Sequence, residues 1–387
     1  MPKASEKKLR LGSQEEFTLY KSINLFEREK EFKQFLYALL TKEHILLNGP
    51  AGTAKSLFAR NAFALIDGNS RLFSIHMTKF MSEELLFGPI NIKKLREDSI
   101  VEYNTDGSAL EADFLYLDEF FDASDPLLRS LLEVLNEREW RRGHQFKRCP
   151  LHTAIVTSNY KRENEITEAV LDRFIFKADV SPIKSTKARK AMLLTDNVIP
   201  KTAIDFDLLK RAAGIIDSGK IEIPQKISDT YEMLHKEFKK NTKKYVSDRT
   251  LKKAIKVIRA SAYMNNRDEA TVHDLKEVRY VLCTLNNTTE ESMFDAAFEK
   301  LIAKDEAEAE ITASLENIAN VIAQFPQDIS AMPEPDFLTK MQELNEHLGL
   351  LSNIAPPTDS LNQQRNKLVI KVKELLINNR NKFLANK

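Results

Sequence analysis

The 387-residue chain holds only two cysteines, Cys149 and Cys283, one tryptophan and 10 glycines. Two cysteines outside any CxxC pair exclude a disulfide framework and fit a reducing, cytoplasmic setting. No run of 18 apolar residues occurs, and the opening MPKASEKKLRLGSQEE has no apolar signal core, so neither a membrane span nor a secretory leader is expected. Charge of one sign is also missing. Lys and Arg number 58 against 57 Asp and Glu, which excludes the global basicity that advertises nucleic acid or an anionic membrane. The seven histidines do not cluster with carboxylates or cysteines at ligand spacing, so no zinc or iron site is expected. What remains is 42% hydrophobic and 30% charged, a soluble, helix-rich chain long enough for two or three domains.

Residues 1 to about 20 are polar and mixed in charge and read as a flexible arm. From 21 to 183 short apolar runs alternate with helical patterns. The runs HILL (44–47), RLFSIH (71–76), DFLYL (113–117), HTAIVTS (152–158) and FIFKADV (174–180) read as buried strands. That rhythm predicts an α/β domain around a mostly parallel sheet. After Pro182 the strand signals fade, and 184–287 reads as a helical domain. Within it Leu251, Ala254, Ile255, Ile258 and Ala262 repeat at helical spacing, and Thr271-x-x-Asp274 resembles a helix cap before 271–285. Residues 288–387 read as a helical extension. Its first segment, 288–325, is long enough for one helix of about 55 Å, ended by Pro326, Pro333 and Pro335. The alternating charges in EKLIAKDEAEAE suit a solvated helix face.

The scarce glycines are concentrated where they suggest chemistry. In NGPAGTAKSLFAR (48–60), an apolar strand runs into Gly49-Pro50-Ala51-Gly52-Thr53-Ala54-Lys55-Ser56-Leu57 and then a helix. An ordinary strand–turn–helix corner is one reading. The other is a phosphate cradle, with backbone N–H groups and a helix N-terminus facing an anion. Lys55 then meets the β- and γ-phosphates of ATP and the Ser56 hydroxyl meets Mg²⁺. Ala54 stands where the usual G-x-x-x-x-G-K-S pattern has glycine, a change that a helical φ accommodates.

A second apolar run stops on the adjacent carboxylates Asp118 and Glu119. Charges at a buried sheet end are costly without a role. Asp118 suits Mg²⁺, and Glu119 suits a general base for an attacking water; a pair of helix-capping residues is the bland alternative, but Asp125 fills that cap better. The strand 153–158 runs into Asn159, a turn former or a holder of the attacking water. Arg173 closes EAVLDRF before the last strand, either as a helix-end arginine or as a finger reaching another subunit's site. Arg249 heads a later helix after Ser247-Asp248.

In this order the set resembles an AAA+ ATPase, and in particular the MoxR family and its RavA-like branch. The echoes are LFEREKE (25–31), HILLNGPAGTAKS, EELLFGPINIKKL (83–95) and LLEVLNEREWRRG (132–143), and the similarity spans roughly 20 to 285. The resemblance implies a five-stranded sheet, a helical lid and a six-membered ring. It implies that Asn159 is sensor 1, Arg173 a finger acting in trans, and Arg249 sensor 2, with Phe26 near the adenine. A protein with a von Willebrand factor A domain is the implied partner of a chaperone-like, ATP-driven remodelling. The resemblance also implies two hairpins, one turning at Asp106-Gly107 and one over 138–152 turning at Gly143. The β-rich C-terminal module of RavA-like proteins has no counterpart in the helical tail.

The second hairpin is basic, with Arg138, Arg141, Arg142, Lys147 and Arg148. A nucleic-acid motor or loader using 138–150 is therefore the alternative to a protein remodeller. The near-zero net charge favours protein.

Overall fold

The computed structural model describes residues 9, 11–67, 70–159, 171–196, 199–201 and 203–386, in two compact units, 1–298 and 299–387. All five expected strands form, as β1 (Ile45–Asn48), β2 (Leu72–His76), β3 (Phe114–Asp118), β6 (Thr153–Ser158) and β7 (Phe176–Asp179). They make one sheet in the order β2-β3-β6-β1-β7, every pair parallel. β1, β3 and β6 are almost wholly buried, as strands of a sheet covered on both faces must be. The order matters for function. Strand β1 lies between β6 and β7, so the chain leaves it into a crevice at the carboxyl ends, where open α/β sheets bind ligands.

Helices α1 (Ser13–Ser22) and α2 (Glu29–Thr41) precede β1, α3 (Lys55–Ala64) follows it, and α4 (Asp125–Glu137) follows β3. The core beside α4 gathers Leu127, Leu131 and Val134 with Phe120, Phe121 and Trp140, all buried. Strands β4 (Glu139–Arg142) and β5 (Gln145–Arg148) form the expected hairpin, paired through Arg142 and Gln145 around Gly143. The other expected hairpin is different. The segment before Asp106-Gly107 pairs back on 89–91, with Asn91 N donating to Glu102 O at 2.7 Å and Asn104 N to Pro89 O at 2.8 Å.

Beyond β7 come α5 (Thr186–Leu193), α6 (Phe206–Asp217), α7 (Gln225–Thr242) and α8 (Asp248–Met264). Thr271 and Asp274 do form a capping box, but it opens a 3-10 turn over Val272–Val278 and a short α-turn, not one helix to 285. Asp274 explains the tightness: its carboxylate also takes Ser261 Oγ at 2.6 Å and Arg267 at 2.7 Å. The arm expectation fails from residue 9 onward. Leu9, Leu11, Leu19 and Tyr20 are buried, and Tyr263 Oη donates to Leu9 O at 3.2 Å. Four scattered apolar residues dock a segment whose average composition is polar.

Helix α9 (Thr288–Gln324) runs unbroken, as its sequence suggested. Its first turns belong to the first unit, because Phe294 and Phe298 are buried and Phe238 packs edge-on to Phe294 at 6.0 Å. The division therefore falls at 298/299, not 287/288. In the second unit α9 continues with α10 (Glu334–Asn353) and α11 (Asp359–Ala385) around Leu315, Ile322, Leu344, Leu351 and Val372. Pro335 sits in the first turn of α10, where its missing N–H costs nothing. Among the described residues of this unit there is no strand.

Two buried histidines set an acid limit on the first unit. His44 Nε2 donates to Leu135 O at 2.6 Å while its Nδ1 accepts from Ala154 N at 2.9 Å, so the ring is held neutral. Burial, then the charge of Arg138, holds its pKa well below the ordinary value, and burial, then Lys42, pushes His152 down to about 3. Both pKa values are lower folded than unfolded, so below about pH 6.5 the unfolded chain takes protons that the native one refuses. Stability is then lost as pH falls, by up to about 1.4 kcal/mol per pH unit for each histidine. Urea midpoints that fall between about pH 7 and pH 5 are expected; midpoints that hold steady there would count against it.

Candidate functional site

The phosphate-loop candidate begins where β1 ends. A Cβ on Gly49 would stand 2.0 Å from Val180 O, so only glycine lets the loop pass the end of β7. Gly52 (φ 78°) and Ala54 (φ 63°, ψ 24°) are both left-handed. Ala54 thus does not adopt the helical φ that would accommodate it most easily. An alanine in that region costs about 1–2 kcal/mol, strain of the kind retained where backbone N–H groups must face a ligand. Lys55 then opens α3, with its side chain only 6% exposed.

Lys55 Nζ donates to Gly49 O at 2.7 Å, Pro50 O at 2.9 Å and Asn159 Oδ1 at 2.8 Å. Burial pushes its pKa down, against the pull of Glu119 and Asp118. Asn159, just past the end of β6, continues the chain of contacts. Its Nδ2 donates to Glu119 Oε1 and its N–H to Glu119 Oε2 at 3.2 Å. Glu119 is itself left-handed, at φ 51°. Ser56 Oγ donates to Asp118 Oδ2 at 3.4 Å, Thr157 Oγ1 donates to Asp118 Oδ1, and His76 Nδ1 lies 3.6 Å from Oδ2. Burial raises the Asp118 pKa, but the hydrogen bond from Thr157, with Tyr116 and His76 close by, outweighs it and leaves the carboxyl below its usual value. Two hard oxygen donors, Ser56 Oγ and an ionised Asp118, suit Mg²⁺.

Beside the loop lies a cavity of about 500 Å³, within the usual range for a small-molecule site. Asn24, Leu25, Phe26 and Arg28 form one wall, and Gly52 to Ala54 with Leu57 the floor. Pro182, Ile183, Arg189, Met192 and Thr195, from the segment after β7, complete its lining. Phe26 lines this cavity. Asn24, Arg28, Ile183 and Arg189 were not anticipated, although LFEREKE and the Pro182 break were both visible. Arg173 sits half-buried in the turn before β7, next to residues 160–170, which lie outside the described residues together with the start of EAVLDRF. Arg249 is exposed in the first turn of α8, and it is Arg189 rather than Arg249 that lines this cavity.

The basic hairpin has other business. Arg142 pairs with Glu83 at 3.2 Å, Arg141 and Arg148 with Glu139 at 3.2 and 3.7 Å, and Lys147 with Glu111. Arg138 Nε donates to Leu151 O at 2.9 Å, and Trp140 is fully buried against Phe87 and Tyr103. Carboxylates already answer most of its charge, and its tryptophan is closed to base stacking.

The family profile described as the MoxR domain in MoxR-vWA-beta-propeller ternary systems matches residues 15–202, and an AAA lid domain profile matches 226–292. Two uncharacterized proteins of Methanocaldococcus jannaschii are 32% and 30% identical over 66% of this chain, which spans 66% and 67% of their lengths. Chaperone MoxR1 of Mycobacterium tuberculosis is 32% identical over 38% of this chain and 39% of its own. A crystal structure from Cytophaga hutchinsonii superposes with a TM-score of 0.57 at 19% identity, covering 74% of this chain and 93% of that one.

Proposed function

The chain belongs to the MoxR family of AAA+ ATPases, and on that premise we propose that it hydrolyses Mg²⁺·ATP in a ring to remodel or assemble a protein partner.

 The observation that carries this reading is the convergence of the loop and two strand ends. Lys55, Asn159 and Glu119 form one hydrogen-bonded chain, and Ser56 stands 3.4 Å from Asp118.

In this reading the backbone N–H groups of Gly49 to Ala54 and the start of α3 receive the triphosphate, and Leu25, Phe26 and Ile183 enclose the base. Ser56 and Asp118 hold Mg²⁺, which neutralises phosphate charge when bound. Lys55 exchanges its loop carbonyls and Asn159 for phosphate oxygens. Asn159 is thereby released to orient water, and Glu119, no longer held by Asn159, takes the water's proton. Arg173 of a neighbouring copy completes the site, Arg249 acts as the lid's sensor, and six copies make the ring.

Chaperone-like work is supported by the similarity to MoxR1. A partner with a von Willebrand factor A domain is supported by the systems for which the matching family profile is described. The RavA-like placement rests on the sequence echoes at 25–31, 83–95 and 132–143. Labelled ATP should bind the parent protein in magnesium, and Lys55→Ala should weaken that binding by roughly 30-fold or more, the usual loss when one partner of a buried charge pair is removed. Equal binding by parent and Lys55→Ala would remove the loop from the site.

A further inference from the structure

Arg28 has no part in the chemistry above, yet its side chain is buried at the wall of the nucleotide cavity, 6% exposed. Its Nη2 donates to Thr53 O at 3.2 Å and to Ser181 O at 2.7 Å, and its Nη1 to Glu27 O at 2.7 Å. Thr53 belongs to the phosphate loop. Ser181 begins the link that leaves β7 for the lid helix α5. One guanidinium therefore joins the loop to the hinge.

Its neighbour holds the other end of the same link. The Glu27 carboxylate accepts Lys184 N at 2.7 Å and Ser185 N at 2.8 Å, where α5 is about to start. Between the two grips, Pro182 and Ile183 face the cavity. The segment that carries both residues is fixed in turn, since Tyr20 Oη donates to Leu25 O at 2.8 Å and accepts from Arg28 N at 3.1 Å. Glu27 adopts φ 54°, a left-handed conformation unusual for glutamate.

A buried charge needs compensation. Glu31, 3% exposed, lies close enough for the Arg28 charge to lower its pKa, although burial raises it overall. Glu31 also accepts Asn286 Nδ2 at 3.0 Å, and the same Nδ2 reaches Asp179 O at 3.1 Å at the end of β7. A lysine offers a point charge on a flexible stem and does not reproduce a planar fork serving two segments.

We propose that Arg28 is a positioning residue that couples the phosphate loop to the core–lid hinge, with Glu27 keeping the head of α5 in register. Lys55 is tied to two carbonyls of the loop itself, Gly49 O and Pro50 O, so a phosphate that engages Lys55 displaces those bonds and moves the loop. The Thr53 carbonyl shares that movement, and the guanidinium passes it to Ser181. This rests on ATP occupying the cavity described above.

Hydrogen–deuterium exchange of the 181–186 segment in the full-length protein, with and without ATPγS and magnesium, tests the coupling. In the parent, the nucleotide should slow exchange there by about fivefold or more. Arg28→Lys should bind ATPγS within about threefold of the parent but lose most of that slowing and most of kcat. If Arg28→Lys binds and still shows the full slowing, the coupling role is overturned while the ATP site stands. If the parent binds no nucleotide, the site itself falls and the coupling with it. Should Arg28→Lys fail to fold, Glu27→Ala, altered at the surface, decides by the same split: ATPγS affinity kept and kcat reduced about fivefold supports the clasp, and an unchanged kcat overturns it.

Discussion

Replacing Arg173 with alanine should lower kcat by about 10³-fold or more, the usual worth of an arginine finger, with ATP affinity changed only a little. Arg173 lies half-buried in a short turn just before β7. If it acts in a neighbouring copy, two dead variants should rescue each other. In a 1:1 mixture of Arg173→Ala and Lys55→Ala, about a quarter of the sites pair an intact Lys55 with an intact neighbouring Arg173, given random assembly in a cyclic ring. Activity returning to roughly that level is expected. No recovery in a mixture that still assembles would place Arg173 outside the shared site.

Glu119→Gln should cost about 10²–10⁴ in kcat, the usual contribution of a general base, while binding survives. The amide keeps the shape of the carboxylate but not its basicity. Glu119 has φ 51° and two contacts with Asn159, a conformational expense of the kind often found at reactive groups. Turnover at the parental rate in Glu119→Gln would move the base elsewhere. The variant, stalled with ATP bound, is also the bait for a protein partner in cell extract.

Much of this was legible in the chain because strand ends carry their chemistry locally. An apolar run that stops on Asp118-Glu119, or on Ser158-Asn159, announces both a buried strand and what sits at its tip. The loop at 49–56 was legible for the same reason, and the Ser56–Asp118 contact brings those local readings together. The left-handed φ of Ala54 was not legible, because alanine normally avoids positive φ. The arm was misread because composition averages hide Leu9, Leu11 and Leu19, which dock singly. Arg28 and Arg189 escaped notice for a different reason. Arg28 meets Ser181 O across more than a hundred residues of sequence, and Arg189 lines the same cavity as Arg28; no local pattern encodes either meeting. The cap at Thr271 was correct, but a cap fixes where a helix starts and not whether its turns stay α.

The most direct measurement is the structure of Glu119→Gln with magnesium and ATP. Expected is a triphosphate seated on the 49–56 loop, Lys55 withdrawn from Asn159 to a phosphate oxygen, and a metal about 2.1 Å from Ser56 Oγ. A nucleotide bound away from that loop, or one seated there with Lys55 still holding Gly49 O and Asn159, would contradict it.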